Sequence, residues 1–176
     1  MQAPDFALPN VAAGPDPYRL SERTGAVSAV VLLLQRDHYC TNCRRQVREV
    51  KARVAAFRER DAEPVSVLPE PVERAREWQA SYDLPYPLLA DAAADVGEAY
   101  DQPVRFGALG SLSDFFGRMP EAVVVDLRPG REREVAYAHR GRSTFDRPSV
   151  DDLLAVLDDL PPVDGAGVGA DGATDE

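Results

Sequence analysis

Cys40 and Cys43 are the only cysteines in the chain, and just two residues separate them in Asp37-His38-Tyr39-Cys40-Thr41-Asn42-Cys43-Arg44-Arg45. Thiols at this spacing can act as a redox dithiol, in which one thiolate attacks and its neighbour closes a disulfide. The apolar residues 27–34 precede the pair and a stretch of helical periodicity follows it, so both thiols belong where a strand hands over to a helix N-terminus. First-turn N–H groups lack partners inside a helix, and the macrodipole adds partial positive charge, so a thiolate is favoured there over a thiol. Arg44 and Arg45 push the same way, toward a thiol pKa of roughly 3.5 to 7.5 in place of the ordinary ~8.5. In disulfide exchange Cys40 is the expected exposed nucleophile and Cys43 the sulfur that closes the disulfide, while which of the two attacks first in general stays open.

The elements that must hold this pair are legible on either side of it. Residues 27–34 carry no polar alternation apart from Ser28 and read as a central strand covered on both faces. Val47, Val50, Val54 and Phe57 recur at helical spacing, which predicts one amphipathic helix over residues 43–60. Val65-Ser66-Val67-Leu68 predicts a second buried strand, and Pro71 opens a helix through Ala75, Trp78 and Tyr82. Asp91 is the expected N-cap of a helix over residues 92–100. Residues 122–126 and 135–139 flank a Pro-Gly turn and predict an antiparallel hairpin. Ser149 caps a last helix that ends before Pro161-Pro162. Ahead of the core, Phe6-Ala7-Leu8 and Tyr18-Arg19-Leu20 predict a small hairpin. Residues 101–119, rich in glycine and phenylalanine, predict a loop with apolar surface that either covers the site or builds a homodimer contact. The organisation expected is one domain over residues 1–160 and a disordered acidic tail over 161–176.

Composition limits the partners. The net charge is −10, with 30 acidic residues against 20 basic ones, and Lys51 is the single lysine. Nucleic acid and anionic membranes need clustered positive charge, so neither is an expected partner. The balance is similar to that of acidic proteins from salt-loving archaea. No secretory leader is legible at the N-terminus, and no apolar run approaches the ~20 residues that span a bilayer. A cytoplasmic location is the expectation, and a close cysteine pair there reads as catalytic or metal-binding, not as a structural staple.

Several phrases resemble the alkyl hydroperoxide reductase and thiol-specific antioxidant group, the peroxiredoxin-like redoxins. They are Ala3-Pro4-Asp5-Phe6-Ala7-Leu8-Pro9, Val65-Ser66-Val67, Tyr82-Asp83-Leu84-Pro85-Tyr86-Pro87-Leu88-Leu89-Ala90-Asp91 and Val96-Gly97-Glu98-Ala99-Tyr100. The resemblance implies an α/β, thioredoxin-like fold, a central mixed sheet flanked by helices, here with an N-terminal extension. It implies a thiol-dependent oxidoreductase that reduces peroxides or disulfides, takes electrons from a thioredoxin-type reductant and needs no cofactor. The family's Pro-x-x-x-Thr-x-x-Cys phrase is altered. With Cys43 in the peroxidatic position, Cys40 stands for the Thr and Arg36 for the Pro; with Cys40 there, Asp37 and Leu33 do. The family's arginine at the start of a later strand falls on Pro120, with Arg118 two positions earlier. Pro120 instead resembles the proline that thioredoxins hold cis in front of the corresponding strand. That likeness predicts a cis Met119-Pro120 bond facing the dithiol and favours disulfide exchange.

Around the pair, His38, Tyr39, Thr41, Arg44, Arg118, Met119 and Pro120 are the residues expected to tune the thiols or hold substrate. Two other readings stay open. His38, Cys40 and Cys43 are three soft ligands of the kind that copper-delivery proteins of this fold use, although no fourth ligand is evident. A redoxin that has lost catalysis and serves as a scaffold is the other.

Overall fold

The computed structural model describes residues 1–105 and 117–162. Five strands form a mixed sheet in the order β5-β4-β3-β6-β7: β3 (Ala29–Leu34), β4 (Ala62–Leu68), β5 (Leu88–Ala90), β6 (Glu121–Asp126) and β7 (Glu134–Arg140). β3 pairs in parallel with β4 and antiparallel with β6, and every residue of β3 is buried. That is why its sequence runs apolar without alternation. Side chains alternate across the sheet. Val31 and Leu33 meet one helical layer, made of α1 (Thr41–Ala52), α2 (Val54–Arg58), α3 (Val72–Tyr82) and α5 (Val150–Asp158). Val30, Leu32 and Leu34 meet α4 (Asp95–Ala99) and the N-terminal extension, whose β1 (Ala7–Leu8) and β2 (Tyr18–Arg19) form the expected small hairpin.

Departures from the expected elements have local causes. The single helix expected over residues 43–60 is two, because Arg53 leaves the helical well at φ −117°, ψ 13°; α2 then carries Phe57 into the core. β4 starts three residues early and includes Pro64. β5 pairs only Ser66 to Leu68, so the N–H that proline lacks falls on an open edge. The helix expected over residues 92–100 begins only at Asp95. The Asp91 carboxylate accepts the N–H groups of Asp95 and Val96, at 3.1 and 2.9 Å, and closes a turn over the intervening alanines. Ser149 does cap the last helix, in a reciprocal box with Asp152. The loop expected to cover the site lies mostly at residues 106–116, outside the described residues, as does the tail from residue 163. Among the described residues no helix is long and apolar enough to cross a membrane.

Glu121 opens β6 with a fully enclosed side chain whose two oxygens accept no hydrogen bond, although Arg140 Nε stands 3.2 Å from one of them. Burial raises its pKa from 4.5 to about 7, against the pull of Arg140. Below pH 4.5 the carboxyl is protonated in folded and unfolded chains alike. Between 4.5 and 7 only the unfolded chain releases the proton, so stability falls as pH rises through this window. The loss is on the order of 3 kcal/mol. Glu121→Gln is expected to flatten that decline, read as urea midpoints at pH 5 and pH 8. Equal pH dependence in the two proteins would remove Glu121 as its source.

Candidate active site

The redox loop leaves β3 at Gln35, whose N–H extends the parallel ladder to the Val67 carbonyl. Asp37 then shapes the turn, its side chain accepting the Tyr39 N–H at 2.8 Å. The His38 N–H donates to Glu70, and the His38 carbonyl receives three donors: Arg44 Nε at 3.0 Å, Arg44 Nη2 at 2.7 Å and Trp78 Nε1 at 3.1 Å. So anchored, the loop delivers Cys40 as the N-cap of α1 and Cys43 as its third residue.

Cys40 and Cys43 form a disulfide, with Cα atoms 5.2 Å apart. Cys40 keeps 5% of its surface exposed and Cys43 none, so the expected exposed nucleophile is in fact covered but for a small outer face. The Cys43 N–H donates to Cys40 Sγ at 3.1 Å, the helix-start interaction expected from the sequence. Cys43 Sγ receives two donors, the Arg36 N–H at 3.4 Å and Arg147 Nη2 at 3.6 Å. Arg147 also donates to Gln46 Oε1 and to the Thr144 carbonyl. Burial, with Arg45 and Arg36 nearby, lowers its pKa to about 10, so it remains a cation at neutral pH.

The loop that carries Arg147 is pinned at both ends. Gly141 donates its N–H to the Pro120 carbonyl, and a Cβ there would stand 2.8 Å from the proline ring. His139 bonds Asp146 at 2.9 Å, and Asn42 reaches the Thr144 carbonyl.

The other residues singled out from sequence divide. Arg44, expected to favour the thiolate, turns to the His38 carbonyl, the Tyr82 hydroxyl and the face of Trp78, and Arg45 pairs with Glu49. Their charges serve the loop and the helix surface. Tyr39 stands 60% exposed beside Cys40 with Arg74 over its ring, and Thr41 opens α1 on an exposed position. The His38 ring is held between Tyr39, Trp78 and Glu77. Among the described residues no group of three metal-ligating side chains is present. Arg118 donates through Nη1 to Gln102 Oε1, in space that Gly97 leaves open: a Cβ at Gly97 would stand 2.7 Å from its guanidinium. Its carbonyl instead accepts Arg36 Nε at 2.6 Å.

Met119-Pro120 is trans, and the single cis bond among the described residues is Asp16-Pro17. Met119 donates its N–H to Pro103, and its carbonyl accepts Gln102 Nε2, which also reaches the carbonyls of Leu34 and Gln35. These bonds keep the segment extended, the conformation a residue before proline prefers. The cis proline expected to face the dithiol is therefore not found at Met119-Pro120, and it lends no support to disulfide exchange. Arg147, Gln102 and the Arg36 N–H were not foreseen, because nothing in the local pattern of residues marks them; Gln46, also not foreseen, is marked only by interrupting the apolar stripe of α1.

A dithiol at the start of the helix that follows a central parallel strand defines a thioredoxin-like thiol oxidoreductase. The model of the AhpC/TSA family matches residues 1–127, and the chain belongs to that family. It is a thiol-dependent oxidoreductase of the peroxiredoxin-like type. Solved structures share the fold. The peroxidoxin BcpB from Mycobacterium tuberculosis is 23% identical, with a TM-score of 0.74 over 92% of this chain and 97% of that one. The reduced 2-Cys peroxiredoxin of Plasmodium vivax is 17% identical, with a TM-score of 0.72 over 89% and 92%. A putative thiol:disulfide interchange protein DsbE from Chlorobium tepidum is 22% identical, with a TM-score of 0.65 over 89% and 95%. No curated protein matches the sequence.

Proposed function

We propose that the protein reduces small hydroperoxides with Cys43 as the attacking sulfur and Cys40 as the sulfur that closes the disulfide. The observation that carries this order is the pair of donors on the fully buried Cys43, one of them the half-buried Arg147 guanidinium. A thiolate gains most from charged and N–H donors where water is absent. Cys40 Sγ has the Cys43 N–H.

In the first step the Cys43 thiolate takes the terminal oxygen of ROOH. The O–O bond breaks, the alkoxide takes a proton and leaves as ROH, and the sulfur becomes a sulfenic acid. The Cys40 thiol attacks that sulfur, a water molecule departs, and the disulfide forms. A thioredoxin-type dithiol then attacks at Cys40, the cysteine that keeps some exposed surface, and Cys43 leaves as the stabilised thiolate; the reductant's second thiol breaks the mixed disulfide, releasing Cys40 as the reductant closes its own disulfide. The same division of labour supports a second substrate class. Exposed Tyr39 beside Cys40 suits a protein disulfide, which Cys40 would attack before Cys43 released it. We place the cycle in a reducing cytoplasm, where the dithiol is regenerated.

One equivalent of hydrogen peroxide added to the reduced chain is expected to lower its intact mass by two hydrogens, with peptide mapping to Cys40–Cys43. Stable sulfinic acid without the disulfide would contradict the cycle. Insulin reduction without peroxide consumption would leave exchange as the activity.

A further inference from the structure

A half-buried cation in an acidic chain would ordinarily find a carboxylate. Among the described residues Arg147 makes no salt bridge, although the chain holds 30 acidic side chains. The Glu49 carboxylate on α1 pairs with Arg45 at 3.6 Å and acts on Arg147 only through space, without a direct ion pair. What holds the guanidinium is neutral: Gln46 Oε1 accepts its Nη1 at 3.1 Å, and the Thr144 carbonyl accepts its Nη2 at 3.0 Å. Gln46 is buried, and its oxygen is fixed as the acceptor by a second donor, Gln35 Nε2 at 3.3 Å. Gln35, fully buried, also donates toward Ser66 Oγ at 3.5 Å.

Two N–H donors converging on one oxygen form a seat that a glutamate would fill at least as well as a glutamine. Glutamate has the same length, and a carboxylate accepts from arginine more strongly than an amide does. It would also cancel the positive charge beside Cys43. We infer that Gln46 is a positioning residue of the redox centre, holding Arg147 against Cys43 with a neutral acceptor so that the full charge of the guanidinium is left for the sulfur. This rests on the reading that Cys43 carries the charge in the reduced state. It assigns to an amide one turn along α1 the work of keeping the site net positive.

The test titrates Cys43 in a Cys40→Ser background, by thiolate absorbance and by the pH dependence of alkylation, without peroxide. Serine is itself a good helix N-cap, so the background keeps the helix start. Gln46→Glu is expected to raise the Cys43 pKa by about one unit or more while the Arg147 contact is retained. Gln46→Met is expected to raise it less, and that rise should vanish when Arg147→Met is also present, since the amide acts through the guanidinium. Urea midpoints identify any variant that fails to fold, and the glutamate and methionine replacements are independent of each other. An unchanged pKa in Gln46→Glu overturns the inference, as does a Gln46→Met effect that persists in full without Arg147. A Cys43 pKa near the ordinary ~8.5 that Arg147→Met does not move would overturn the proposed order of the sulfurs as well.

Discussion

Cys43→Ser is expected to lower the second-order rate of peroxide consumption by roughly 10³-fold or more, the scale seen when a nucleophile is removed. Cys40→Ser is expected to keep a near-normal first turnover and then stop. The asymmetry follows from what each sulfur touches. Cys43 Sγ, fully buried, receives the Arg36 N–H and the half-buried Arg147 guanidinium. Both donors would favour a thiolate on the reduced sulfur and fix it in one place. Without Cys40 the sulfenic acid on Cys43 has no partner, so it should accumulate and be trapped by a dimedone-type reagent at one equivalent. In the Cys43→Ser chain the remaining sulfur keeps its outer face but loses any second thiol, and the serine hydroxyl does not ionise near neutral pH. Stopped-flow measurement on the two variants decides the matter. A full first turnover with trapped sulfenic acid on Cys40 in the Cys43→Ser protein would reverse the assignment.

The reversal would restore the order that disulfide exchange gives the pair, a choice the sequence leaves open for a physical reason. A Cys-x-x-Cys pair at a helix start announces redox chemistry, and the strand before it, the Ser149 cap and both hairpins follow from periodicity and turn chemistry. Which arginine faces the sulfur does not. Arg44 and Arg45 are adjacent in sequence, but a residue one position past Cys43 points elsewhere on the helix, and Arg44 finds the His38 carbonyl. Arg147 lies 104 residues from Cys43 along the chain and arrives only because α5 packs beside α1 on one face of the sheet. Its own surroundings, Asp146 and Pro148, read as an ordinary polar loop. Gln46 falls on the buried stripe between Cys43 and Val50, where a glutamine breaks the apolar pattern. That break was the one local signal available. Arg118 and Pro120 were misplaced for a related reason: likeness to a family gives a position in the order of strands, whereas Gln102 and Gly97 decide where the side chain goes and how the backbone runs.

Trp78→Ala is expected to cost about 3–5 kcal/mol, a large share of the total stability of a domain of this size. The indole is 1% exposed, so truncation opens a cavity that its neighbours can only partly fill. The loss extends beyond volume. Trp78 Nε1–H is one of three donors on the His38 carbonyl, two residues before Cys40, and the Arg44 guanidinium that supplies the other two stacks 5.4 Å from the indole. Tyr82 meets the same ring edge-on at 6.1 Å. Removing the ring therefore frees Arg44 and unpins the loop that sets Cys40 as the N-cap of α1. Trp78→Phe keeps most of the volume and the stack but lacks the N–H, and is expected to cost nearer 1 kcal/mol, the net worth of one hydrogen bond. Urea unfolding measures both costs, and alkylation of the reduced protein reports the loop. Cys40 should react faster in Trp78→Ala than in Trp78→Phe. Equal alkylation rates alongside a large stability loss would show that the tryptophan supports the core without steering the dithiol.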